Sequence, residues 1–170
     1  MNRKDFTITY IALLIAQIFI CNYLNLSQFI TLNVLPLMIL MLPISCSTVS
    51  AMIVAFVTGL TLDLLSDGVA GLNAFALVPA ALCREGIIRI VFGNEVFARK
   101  ENISSGKHGP GKMLLASLLI QAVFLVVYIW ADGAGTRPLW HNALRFLLSL
   151  IVAGFIALPI TRLLTADRME

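Results

Sequence analysis

Apolar residues run along this chain in six blocks, at roughly 6–24, 29–45, 48–65, 71–92, 113–131 and 139–164, with polar residues gathered in the gaps. Each block is near the ~17–25 residues that a tilted helix needs to cross a bilayer. The pattern therefore predicts an all-α integral membrane protein, with six transmembrane helices in a single transmembrane domain over 1–170. The first, fifth and sixth blocks read as unambiguous spans. The second is short and carries Pro36 and Pro43, each of which removes a backbone donor and favours a kink. It joins the third through Ser45-Cys46-Ser47-Thr48, which has no charge to anchor it in water. A re-entrant pair in place of two full spans stays open here, and it would leave the orientation of the rest unchanged.

Composition agrees with the blocks. The chain is 59% hydrophobic and only 12% charged, with a mean hydropathy of +0.94, whereas a soluble chain carries about 25% charged residues. The net charge of +3 is no nucleic-acid footprint, because the basic residues sit at the ends of the apolar blocks, where they orient a membrane protein. Aromatic-basic interleaving of the kind that binds single strands is missing. With the N-terminus inside, the cytoplasmic side takes Arg3, Lys4, Arg99, Lys100, Lys107, Lys112, Arg162 and Arg168, while the outer side keeps Arg137 and Arg145. Tyr23, Tyr128, Trp130 and Trp140 then fall at the outer interface, where amphipathic rings prefer to sit. Both termini and the 93–112 loop are thus expected in the cytoplasm of a multi-pass inner-membrane protein. The loop reads as a solvated connector with orienting charges, as a contact for anionic lipid, or as a docking segment.

Processing and chemistry signals change this picture little. The 6–24 block lacks a small-x-small cleavage site, and Ile20 precedes Cys21 where lipid modification expects a small residue, so a retained helix is expected. Cys21, Cys46 and Cys83 are scattered in apolar runs and read as small buried hydrophobes. Gly106 to Lys112 matches a phosphate-binding loop by letter. It fails by context, since Met113 stands where Ser or Thr would hold magnesium and a membrane helix follows. His108 and His141 lie on opposite sides with no carboxylate at ligand spacing. Asn102-Ile103-Ser104 is a glycosylation acceptor only in a secreted loop. No Ser/His/Asp or Cys/His set converges at one depth. The expectation is a protein that is not an enzyme and has no metal and no cofactor.

Ionisable groups inside a bilayer cost a few kcal/mol or more, so each one in this chain needs a reason. Asp63 lies near the outer end of the third block, and Arg145 lies at similar depth in the sixth. The two are a candidate ion pair, with snorkelling of Arg145 to the headgroups as the alternative. A proton or ion relay through Asp63, with Gln17, Asn33 and Asn73 nearby, is a further reading. In the fourth block, Glu85 and Arg89 stand at i,i+4, and with Arg84 they read as helix support or as a docking patch for another membrane helix. Ala12-x-x-x-Ala16 is a candidate helix-packing face.

Val57-Thr58-Gly59-Leu60-Thr61-Leu62-Asp63, the short glycine-bearing turn, Gly71-Leu72-Asn73-Ala74 and the run to Cys83-Arg84 give the chain a family resemblance. It resembles MreD, the small membrane subunit of the bacterial rod-shape, cell-wall elongation machinery. That family shows Gly-Leu-x-x-Asp followed by a Gly-x-x-Ala helix start, often with His where this chain has Asn73. The resemblance implies a non-enzymatic scaffold beside MreC. It would link MreB filaments to a RodA-type glycosyltransferase and its class B penicillin-binding transpeptidase in peptidoglycan synthesis. It marks Gly59, Asp63, Gly71, Asn73 and Arg84 as the residues to watch, to which Glu85 is added as an intramembrane charge. MreD also resembles in fold the S components of ECF vitamin transporters. A substrate-binding subunit of a vitamin transporter is therefore the rival function, with Ala12 and Ala16 meeting a coupling partner.

Overall fold

The computed structural model describes residues 3–23, 31–66, 69–98, 109–133 and 138–166. Among these all regular structure is helical, in the order α1 (Arg3–Tyr23), α2 (Leu35–Leu40), α3 (Thr48–Leu65), α4 (Leu72–Phe92), α5 (Glu95–Ala98), α6 (Pro110–Gly133) and α7 (Leu139–Ala166). Three of them, α3, α6 and the Leu139–Ala157 part of α7, are long and apolar enough to cross a membrane. In α4, every 18-residue window includes Arg84, Glu85 and Arg89, which is why its 21 residues read as a more polar helix. The basic cluster at 99–108, the 106–112 glycine loop up to His108, Arg137 and Arg168 lie outside the described residues.

The second apolar block departs from expectation. Instead of a helix over 29–45, only Leu35–Leu40 is helical among the described residues of that block, 31–45. Pro36 fits the first turn, where its missing N–H costs nothing. Pro43 disfavours helix at Leu42 before it, so the chain turns back and α3 starts at Thr48. Ser47 caps that start, its Oγ accepting from the Ser50 amide at 3.3 Å. Thr48 donates to Glu85 at 2.8 Å. The turn thus lies level with Glu85, seven residues, or about 10 Å, short of the end of α4.

This short helix is the centre of the bundle. All six of its residues are buried, and α1, α3, α4 and α6 all pack on it. A helix that is apolar all round belongs in an interior. The periphery is apolar too: Ile8, Ile11, Ile15 and Phe19 on α1, Val49, Ile53 and Phe56 on α3, and Leu147, Ile151 and Phe155 on α7 all face outward. Soluble monomers rarely expose such continuous apolar faces; lipid is the environment that suits them.

Without a hydrophobic drive between helices in lipid, close packing falls to small residues. On α3, the buried face carries Ala51, Ala55 and Gly59 at successive turns, and α4, its main packing partner, buries Ala74, Ala76, Ala80 and Ala81. Ala12 and Ala16 behave differently. Both are exposed on the outer face of α1, away from the buried Gln17.

Candidate functional site

Two glycines and a carboxylate make the α3–α4 joint. Gly59 is where the two helices come closest, since a Cβ there would lie 2.5 Å from Ala74 Cα and 2.6 Å from Ala74 N. One turn later on the same face, Asp63 reaches the first turn of α4. Its Oδ1 accepts from the Asn73 amide at 3.1 Å and from Asn73 Nδ2 at 2.8 Å, and its Oδ2 accepts from the Ala74 amide at 3.1 Å. These amides are among the donors that every helix start leaves unpaired. Gly71, the N-cap of α4, has no side chain to serve them and adopts φ +87, a left-handed conformation natural to glycine. Asp63 therefore caps a helix to which it does not belong, and its negative charge faces the positive end of that helix dipole.

Asn73 passes the network onward. Its Oδ1 accepts from Asn33 Nδ2 at 2.7 Å, and Asn33 Oδ1 accepts from the Leu35 amide at 3.0 Å, capping α2. Gln17 of α1 completes the arrangement: its Oε1 accepts from the Val34 amide at 3.0 Å and its Nε2 donates to the Leu32 carbonyl at 2.9 Å. Gln17, Asn33, Asp63 and Asn73 are all buried. At the other end of α2, the buried Arg84 side chain donates to the carbonyls of Leu40 at 3.3 Å, Leu42, and Pro43 at 3.4 Å. Irregular backbone at membrane depth is tolerated only where protein satisfies its polar groups. Gln17 and Asn33 do this at the N-terminal end of the break, and Arg84 at the C-terminal end.

The ion pair anticipated between Asp63 and Arg145 does not form. Asp63 is turned into the α4 start, while Arg145 pairs with Asp132 in the last turn of α6 and donates to Thr31 Oγ1 at 3.1 Å. Its guanidinium carbon lies 5.8 Å from the Tyr128 ring centroid. Because α6 runs on to Gly133, Asp132 is a helical residue beside α7, within reach of Arg145. Ser149 accepts from the Thr31 amide at 2.9 Å and ties the same corner to α7.

The other marked residues are placed as follows. Glu85 and Arg89 form the expected i,i+4 bridge at 2.6 Å on an outward face. Arg84 belongs to the interior and takes no part in that patch. The sequence reading singled out Gln17 and Asn33 only as neighbours of a relay, and it missed Asp132 and the Ala51-Ala55-Gly59 stripe. The stripe was legible as three small residues at i, i+4 and i+8; the role of the two amides was not, because nothing local shows which backbone groups lack partners. Among the described residues, no group of three or more His, Cys, Asp or Glu is placed to hold a metal. Comparison with family models, with curated proteins and with solved structures finds no match to the chain.

Proposed function

We propose that the chain is a non-enzymatic scaffold of the bacterial inner membrane, of the MreD type, which links MreC, MreB filaments and the peptidoglycan synthase pair. The observation that carries this reading is what the motif residues do. Gly59, Asp63, Gly71 and Asn73 meet in one joint, where Asp63 holds the backbone amides that start α4 and Asn73 ties it to Asn33. A motif spent on shape suits a protein that acts by presenting surfaces to partners. The outward apolar face of α1 and the α7 face at Leu147, Ile151 and Phe155 are the surfaces at hand.

A second reading, the substrate-binding subunit of a vitamin transporter, draws on one observation: Ala12 and Ala16 lie exposed on α1, where a coupling helix could approach closely. Affinity purification from native membranes in mild detergent separates the two. Co-purification of MreC with the synthase pair supports the scaffold, and co-purification of energising ATPases overturns it. Topology is a separate check. Cysteine labelling should place both termini and the 93–112 loop in the cytoplasm, and a reporter at Gly133 outside.

A further inference from the structure

A cavity of about 20 Å³ lies between α6, α7 and the irregular 32–34 stretch with the start of α2. Most of its wall is apolar, with Leu37, Ala153 and Ala157 among the lining residues, but Asn33, Ser117 and Gln121 also face it. Gln121 is 4% exposed, and its Nε2 has no hydrogen-bond partner among the described residues. An amide in that position carries the cost of lost solvation with nothing in return. Ser117 is one turn earlier on the same face of α6. Its hydroxyl donates to the Leu114 carbonyl at 2.7 Å, which leaves its lone pairs free to accept. The wall thus offers one donor and one acceptor a helical turn apart. A single water needs about 10–15 Å³ of such space and two or more polar partners.

We propose that this cavity is a binding site for one water molecule, which accepts from Gln121 Nε2 and donates to Ser117 Oγ. The water fills the space beside the non-helical backbone that precedes α2, where that backbone meets α6 and α7. The cavity's volume is that of a single water, and its two polar partners distinguish it from a dry apolar void.

The chain has three glutamines, Gln17, Gln28 and Gln121, which makes side-chain amide NMR on ¹⁵N-glutamine-labelled protein in lipid nanodiscs a direct test. Gln17 serves as the internal control, because its Nε2 already donates to the Leu32 carbonyl and lies 3.3 Å from Cys21 Sγ. The Gln121 amide protons, assigned by their loss in Gln121→Leu, should show a cross-peak at the water frequency, and those of Gln17 should not. Ser117→Ala, which removes the acceptor but leaves Gln121 in place, should shift or weaken that cross-peak and supplies the assignment if Gln121→Leu fails to fold. Cross-peaks from Gln121 only to protein or acyl-chain protons would overturn the proposal, as would density at the site larger than a water in a high-resolution structure.

Discussion

Asp63 and Arg84 are both buried charges that serve the ends of helices, yet the two regions are built differently. Around Asp63 the work is shared. The carboxylate holds the start of α4, Asn73 and Asn33 relay to the start of α2, and Gln17 holds the backbone between. Around Arg84 one side chain reaches three carbonyls, and the Cys46 amide also donates to that of Pro43 at 3.0 Å. The two sites are eleven residues apart on α4 if measured from Asn73, about 16 Å along its axis, and neither charge neutralises the other. Each is matched to a helix end, the anion to exposed N–H groups and the cation to exposed C=O groups. A buried charge in a membrane protein therefore need not imply an ion pair or a relay; it can complete a backbone that the fold has broken.

The largest effect should come from the close approach that brings the Asp63 region together. Gly59→Val places side-chain carbon on the backbone of Ala74, so folded protein in the membrane should fall to a small fraction of wild type by fluorescence-detected size exclusion. Near-normal yield would mean that α3 and α4 can separate without loss of the joint.

Arg84→Met should come next, at a cost on the order of 3 kcal/mol, because the carbonyls of Leu40 and Leu42 lose the guanidinium together and Pro43 keeps the Cys46 amide. Heating in detergent and monitoring of tryptophan fluorescence would register it. Arg84→Lys keeps the charge but not the planar fork of donors, and should recover only part of the loss. Full recovery by Lys would show that charge alone matters there.

Asp63→Ala strands three donors and should cost about as much as losing a buried cap and a hydrogen bond, ~2–3 kcal/mol, with Asp63→Asn milder because one oxygen still accepts. The shared network makes a sharper statement. Asp63→Ala combined with Asn33→Ala should be less harmful than the sum of the two, whereas Asp63→Ala combined with Arg84→Met should add. The corner at Arg145 gives the same kind of test: coupling is expected with Asp132→Ala and none with Asp63→Ala. The reverse result would restore the pairing that sequence depth suggests.

The smallest effect belongs to Glu85→Ala. Its bridge to Arg89 is half in the open, with side chains 54% and 39% exposed, and such helix pairs contribute about 0.2–0.5 kcal/mol. A loss as large as that at Arg84 would show that Thr48 and Glu85 together hold the start of α3.

The sequence by itself determined the all-helical, membrane-suited character and the extents of α1, α3, α4, α6 and α7 to within a few residues, and it singled out Gly59, Asp63 and Gly71, which the structure brings into one joint. Length, apolarity and helix-breaking residues are local properties, and they can be read along the chain. It also carried the warning in Pro36 and Pro43 that the second block is not an ordinary span. Only the tertiary structure decided how that block is broken, that it lies at the centre, and which side chains complete its backbone. It also sent Ala12 and Ala16 outward while Ala51, Ala55 and Gly59 turned inward, although both sets have the same spacing. The reason is physical. In lipid every helix face is apolar, so hydrophobic pattern no longer distinguishes inside from outside. The choice passes to close packing and to the pairing of buried polar groups, and both depend on residues distant in sequence: Gln17 with Val34, Asn33 with Asn73, and Arg84 with Leu40.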